Sequence, residues 1–302
     1  MSQQVEWVHW PDTRAVTKGY DNLSKYSEAY VQRKEQYPDY QPSNEAMRTA
    51  IEIEEKGHAK IENYLDTDLI DEISNRVESI LNDAKHPANQ NKVSQTNARK
   101  DKLYIQVLQP FLNVPEILPF VFDDLIVDIA GAYLDCIPAL GTCNLRKSFL
   151  TTLPEGGTQI YHVDPNSPRF LKFFIYLNDV DMDGGPFCYV EGSHTKKFEI
   201  DGFNWNQQYS WDLDTINTLY GEDKVKYLTA KKGDLLVADT NGWHRGTKPV
   251  SAERTMLTLD YACHPEFFED SGFQISGEFV NSLSEKHKPL CDFLKLTNQP
   301  YE

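Results

Sequence analysis

The hydrophobic positions of this chain fall into two textures. In the first 140 residues they recur at helical spacing. "NEAMRTAIEIEEKG" begins behind Ser43, a good N-cap residue, and stops at Gly57. "DTDLIDEISNRVESILNDAK" puts Leu69, Ile70, Ile73, Val77, Ile80 and Leu81 on one face behind an Asp66/Thr67 cap, which predicts an amphipathic helix. "ILPFVFDDLIVDIAGAYLD" predicts another, largely buried. The polar, tyrosine-rich "YDNLSKYSEAYVQRKEQY" predicts a surface helix broken by Pro38 and Pro42. "HAKIENYL" reads as a short strand and "PANQNKVSQTNARKD" as a mobile polar loop.

From Cys143 the period shortens. "CNLRKSFLTTL", "TQIYHV", "RFLKFFIYLN", "PFCYVEG", "KVKYLTA", "GDLLVAD" and "ERTMLTLDYAC" are short alternating or apolar runs bounded by Gly, Pro, Asn and Asp. That spacing predicts an antiparallel β-sandwich or barrel, with the preceding helices packed on an outer face, an α+β architecture. We expect a single domain over 1–302: a mostly helical part at 1–140, a β core at 141–265 and a C-terminal extension at 266–302. Residues 198–232 interrupt the strands and are too long for a simple connection, so they read as a lid-like insertion with one short helix. Trp205, Tyr209, Trp211 and Tyr220 in it can cover an organic substrate. Its Asp201, Asp212 and Asp214 favour a neutral or cationic small molecule.

Charge narrows the partners. Net charge is −16, from 46 acidic against 30 basic residues, a field that opposes bulk contact with nucleic acid or anionic membrane. A small-molecule substrate fits better. Five scattered cysteines without CxxC spacing read as free thiols, and the N-terminus lacks a basic start followed by an apolar core. A cytoplasmic protein is the expectation.

Candidate chemistry starts in "TQIYHVDPNSP", where His162 and Asp164 stand two apart at a strand end. Alone, the pair fits an ordinary turn as well as a metal site. The ferrous iron of an oxygenase takes two imidazoles and a carboxylate on one face and keeps its other positions open. "KKGDLLVADTNGWHRG" offers a second imidazole: a strand from Gly233, a tight turn at Asn241-Gly242, then His244. Arg254 opens the next strand, ten residues after His244, where a guanidinium can grip a carboxylate with two charge-assisted bonds. 2-Oxoglutarate fits such a site, chelating iron at its keto-acid end and pairing its far carboxylate with the arginine. His194 reads as structural, and His9, His58, His86 and His287 as surface residues. Lys172 and Arg169 fit a solvated strand edge as well as the site.

The order His-x-Asp, "GGPFCYVEGSH", "GDLLVADTNGWHRG" and then Arg resembles the phytanoyl-CoA dioxygenase-like family, from about "EKGHAKIENYLDTDLIDEI" to about His264. The resemblance implies a double-stranded β-helix (jelly-roll, cupin-like) core and an Fe(II)/2-oxoglutarate-dependent dioxygenase consuming O2 and releasing succinate and CO2. It implies His162, Asp164 and His244 as iron ligands and catalytic residues, and Arg254 as the 2-oxoglutarate contact. Glu191 stands where the family's "GPL-x-x-x-PGSH" turn has proline. Asn144, Ser148 and Thr152 are candidates for further cosubstrate contacts. Halogenating relatives replace the carboxylate with a small residue, so Asp164 favours hydroxylation. Two alternatives remain at this stage: a non-catalytic or zinc-bound cupin-like binding protein, and an iron oxygenase that does not use 2-oxoglutarate.

Overall fold

The computed structural model describes residues 20–83, 85–89, 103–164, 167, 169–195, 210–263 and 272–298. The polar loop expected near 87–101 lies almost wholly outside them, as do His9, His264 and residues 198–209 with Trp205 and Tyr209. Helices α1 (Tyr20–Gln36), α2 (Asn44–Lys56), α3 (Thr67–Asn82), α4 (Asp124–Leu134) and α5 (Leu213–Tyr220) carry the main helical content. The strands used below are β1 (His58–Ile61), β2 (Tyr104–Val107), β3 (Ala139–Ser148), β4 (Tyr161–His162), β5 (Phe170–Tyr176), β6 (Phe187–Val190), β7 (Ser210–Trp211), β8 (Val225–Leu228), β9 (Leu235–Ala238), β10 (His244–Gly246), β11 (Arg254–Ala262), β12 (Gln274–Ser276) and β13 (Lys295–Thr297).

The helix ends follow their local chemistry. The Ser43 hydroxyl accepts from the Ala46 amide, and Gly57, at φ 89°, closes α2 in the left-handed region that glycine enters without a Cβ clash. Asp66 caps α3, whose Ile70, Ile73, Val77, Ile80 and Leu81 are buried. The long apolar stretch at 117–135 differs from the single helix expected. Asp123 accepts from the Leu125 and Ile126 amides, so its side chain starts a new helix, α4, after a separate turn at Leu118–Val121. Helix α1 is less superficial than its composition implies, for Tyr26 and Arg33 are buried, and the Arg33 Nε donates to the Cys263 carbonyl at 2.8 Å.

The strands form two antiparallel sheets, ordered β1-β9-β5-β11-β3-β2 and β7-β4-β10-β6-β8, and a short parallel pair, β12-β13. The larger sheet is covered on both faces, the outer one apolar and the inner one mixed. Its outer side chains, among them Cys143, Leu145, Leu171, Phe173, Ile175, Leu235, Val237, Leu257 and Leu259, pack on the helices. The alternate residues Phe174, Tyr176, Leu236 and Ala238 face the smaller sheet and meet Phe187 and Tyr189. Beyond the smaller sheet, Trp211 stacks on Trp243 at 4.2 Å beside Tyr161 and Ile216, with α5 on that outer face. Ile275, Leu290 and Leu294 of the C-terminal part join the helix-side core.

The end of the expected insertion holds the strand that "KVKYLTA" predicts. Residues 225–228 are β8, a strand paired with β6, and β7 pairs with β4 as Tyr161↔Trp211 and His162↔Ser210.

The turn into β10 is held by space. The Gly242 amide donates to the Asp239 carbonyl at 3.0 Å, and a Cβ on Gly242 would stand 2.1 Å from the buried Tyr189 hydroxyl. Replacing Gly242 with Ala should lower stability by about 1–3 kcal/mol through overpacking, read as an earlier urea midpoint at unchanged m-value.

Candidate metal centre

His162 and His244 are direct cross-strand partners in the β4–β10 pair, their ring centroids 4.3 Å apart. Each ring is oriented by a backbone carbonyl two residues earlier: His162 Nδ1 lies 2.7 Å from the Ile160 oxygen and His244 Nδ1 2.9 Å from the Gly242 oxygen. A carbonyl only accepts, so both Nδ1 atoms carry the proton and both Nε2 lone pairs are free for a metal. Asp164 follows on the same loop, its amide donating to the Thr240 carbonyl at 2.8 Å and so tying it to the turn before β10. Its carboxylate oxygens lie 3.7 Å from His162 Nε2 and 3.5 Å from His244 Nε2. One ligand atom from each of the three lies within 4.8 Å of the others.

The electrostatics hold these donors in their metal-competent forms. Burial, with His244 alongside, pulls the His162 pKa down to about 4, so its imidazole is neutral at physiological pH. Burial by itself would raise Asp164, but Lys172 and the two histidines outweigh it and hold the carboxyl well below its usual range. The Lys172 ammonium donates to Asp164 Oδ2 at 2.6 Å and stands 3.7 Å from Asp260 Oδ2. Lys172 therefore belongs to the centre. Arg169 does not, for it pairs with Glu54 and lies over the Tyr133 ring.

Arg254 completes the arrangement. It is buried opposite Ser148 in the β11–β3 pair, with Nη2 3.3 Å from the Ser148 hydroxyl and Nη1 3.5 Å from the Thr247 carbonyl. Its Nε is buried without a hydrogen-bond partner. A Cβ on Gly246 would sit 3.2 Å from its Nη2, so glycine leaves the guanidinium its space. One cavity is lined by His162, Asp164, His244, Arg254, Lys172, Asn144, Arg146, Thr158, Phe174, Phe187, Gly246, Met256 and Thr258. Of the three candidates on the earlier strand, Asn144 lines it and Ser148 bonds Arg254, whereas Thr152 lies beyond the end of β3 and is exposed.

Sequence reasoning passes over Arg146 and Asp260. The signal was parity: Arg146 shares the face of Asn144 and Ser148, and Asp260 that of Arg254, Met256 and Thr258. His194 is buried, as a structural residue should be. His58 is buried too, correcting its expected surface position, and its Nε2 lies 3.4 Å from Glu191 Oε1. The Glu191 amide donates to the Lys224 carbonyl at 2.8 Å, a bond that proline could not make. Trp211 and Tyr220 of the expected lid pack behind β4 and β10 and do not line the cavity.

A family model described as phytanoyl-CoA dioxygenase matches residues 53–256. No curated protein matches the sequence significantly. Among solved structures, the non-heme alpha-ketoglutarate-dependent carbocyclase SnoK from nogalamycin biosynthesis is 19% identical, covering 73% of this chain and 83% of its own at a TM-score of 0.52. EctD from S. alaskensis with bound Fe is 16% identical over 74% of this chain and 80% of its own, TM-score 0.53. HygX from Streptomyces hygroscopicus, with nickel and 2-oxoglutarate bound, is 14% identical over 73% and 87%, TM-score 0.51. At such identities the likeness speaks for the fold. The core is the expected double-stranded β-helix, within an α+β chain.

Fe(II) added anaerobically at a hundredfold excess over its Kd should stabilise the protein by about 2.7 kcal/mol. In His162→Ala, Asp164→Ala and His244→Ala, the Fe(II)-induced rise in melting temperature should be nearly abolished. Because each variant is compared with its own metal-free form, any loss of intrinsic stability cancels.

Proposed function

The chain belongs to the phytanoyl-CoA dioxygenase family, and from that premise we propose that it is an Fe(II)- and 2-oxoglutarate-dependent dioxygenase that hydroxylates a small organic molecule. The observation that carries this reading is the meeting of His162, Asp164 and His244 with a buried arginine in one cavity. Two imidazoles and a carboxylate are the donor set that suits Fe(II) and leaves positions open for other ligands. The unpartnered Nε of Arg254 fits a cosubstrate carboxylate, which would satisfy it with a charge-assisted bond. When bound, iron and 2-oxoglutarate supply the oxidising power: O2 is consumed, 2-oxoglutarate loses CO2 and becomes succinate with one oxygen atom, and the other atom enters a substrate C–H bond.

The protein's own part is to fix and shield. The Ile160 and Gly242 carbonyls hold the two imidazoles in one tautomer, while Lys172 keeps Asp164 ionised and aimed. Phe174, Phe187 and Met256 give the cavity apolar walls that exclude water from the reacting atoms. Asp164 fills the position a halide would need, which favours hydroxylation over halogenation. A zinc-bound or non-catalytic binding protein has no need of Arg254 at this place. We read 1–302 as one catalytic domain. No helix among the described residues is long and apolar enough to cross a membrane, and the five buried free thiols suit a reducing, cytoplasmic setting.

Arg254→Ala removes a charge-assisted contact of about 3 kcal/mol, so affinity for 2-oxoglutarate should fall roughly a hundredfold. Anaerobic titration of the Fe(II) protein, followed through the weak visible charge-transfer band of the chelate, measures it. Unchanged affinity would mean that a different cation holds the cosubstrate. A metabolite screen for succinate formation then identifies the substrate.

A further inference from the structure

Arg146 is a cation in the cavity that neither the donor set nor the cosubstrate anchor requires. It lies on β3 between the inward-facing Asn144 and Ser148, level with Met256 of β11 and one inward step from the Ser148–Arg254 pair. Its guanidinium lies over the Tyr104 ring at 4.0 Å, and Nη1 donates to the Thr158 hydroxyl at 3.4 Å. Among the described residues no carboxylate forms an ion pair with it, whereas Arg33 pairs with Asp292 and Arg245 with Glu155. Its Nε is buried with no partner. Burial lowers its pKa, the direction for a cation short of a counter-ion, although Asp164 and Tyr104 oppose the shift. A guanidinium held over a ring with its Nε unpaired is placed to bind a carboxylate by charge-assisted hydrogen bonds.

The charge balance of the site asks for such an anion. Arg146, Lys172 and Arg254 are three formal positive charges against Asp164 and Asp260, leaving +1. Fe(II) would take this to +3, and the two carboxylates of 2-oxoglutarate would return it to +1. Both cosubstrate carboxylates are then spoken for, one by the metal and one by Arg254. The remaining positive charge sits in a cavity where an unpaired ion is costly. Of the acidic residues of the insertion that from sequence favoured a neutral or cationic substrate, Asp201 lies outside the described residues and the other two do not offset it. Asp212 caps α5, accepting from the Thr215 amide, and neither Asp212 nor Asp214 lines the cavity.

We propose that Arg146 determines substrate choice at this site by pairing with a carboxylate of the substrate, so that the molecule oxidised is a small organic acid. This deepens the dioxygenase reading and rests on it. The Thr158 contact is solvent-exposed, and Arg146 lines the same cavity as His162, Asp164 and His244, so an acid paired with it is held beside the metal centre.

The test uses the protein loaded anaerobically with Fe(II) and 2-oxoglutarate. A panel of small aliphatic, aromatic and amino-acid carboxylates, each matched with its primary amide, is titrated in while the visible band is followed. At least one acid should perturb the band, with its amide weaker by at least about tenfold. Arg146→Gln should weaken that acid roughly a hundredfold, and Arg146→Lys should recover part of the loss. In both variants the 2-oxoglutarate affinity should stay within about threefold of the parent, a change below about 1 kcal/mol by the affinity relation. Acids and amides that bind equally, a panel in which no acid binds, or an Arg146→Gln protein that keeps its acid affinity would each overturn the proposal. Loss of 2-oxoglutarate affinity in Arg146→Gln would overturn it as well, by assigning the residue to the cosubstrate. A parent protein that forms no band with Fe(II) and 2-oxoglutarate overturns instead the dioxygenase reading beneath it.

Discussion

The register between β4 and β10 is the constraint on which the centre depends. His244 lies directly opposite His162, and a slip of one residue in either strand would turn one imidazole to the outer face. The outer neighbours resist that slip. Tyr161 and Trp243 flank the two histidines in sequence and lie buried in the layer with Trp211, so the pleat that sends these rings outward sends both imidazoles in. The backbone bonds from Asp164 to Thr240 and from Gly242 to Asp239 close the same frame from the loop side.

Around that frame the barrel separates its tasks by parity. On β3, β5 and β11, one set of alternate residues is apolar and packs on the helices, while the other carries Asn144, Arg146, Ser148, Lys172, Arg254, Thr258 and Asp260 inward. The polar set is affordable only because its members meet each other or leave an edge open to a ligand. Lys172 lies between Asp164 and Asp260, and burial would lower its pKa were those two carboxylates not there to raise it. Asp260 shows the opposite balance, for burial raises its pKa even with Lys172 beside it. The arginines are different: Arg146 and Arg254 each keep a buried Nε without a partner, and they stand on the two neighbouring inward positions of one strand pair. A site that takes two organic acids, one as cosubstrate and one as substrate, uses both.

Much of this was legible in the chain. Ser43, Gly57 and Asp66 announced the ends of α2 and α3, because capping is decided by residues within one turn of each other. The short alternating runs after Cys143 announced a β core, and His162, Asp164, His244 and Arg254 could be picked out because the chemistry they suit is strict about residue type and order. Local features misled in one place. The apolar run at 117–135 hid the cap at Asp123, which divides it, whereas the run "KVKYLTA" did announce strand β8, which pairs with β6.

What the sequence by itself determined is therefore whatever acts over short range: helix ends, strand parity and the identity of the candidate ligands. What only the tertiary structure decided is which strands lie side by side and which face of each turns inward. In the larger sheet both faces are buried, so the polar alternation along β3 and β11 reads from sequence as a solvent face until the smaller sheet is seen to cover it. The pairings that bring Arg146 and Lys172 to one cavity, with Asp260 beside Lys172, join β3, β5 and β11, separate segments of the chain. Lys172 read equally well as a solvated edge residue until β5 was flanked by β9 and β11. Its role, like that of Arg146, belongs to the assembled sheet, because its side chain meets both Asp164, eight residues earlier, and Asp260, from a distant strand, only once β5 and β11 pair.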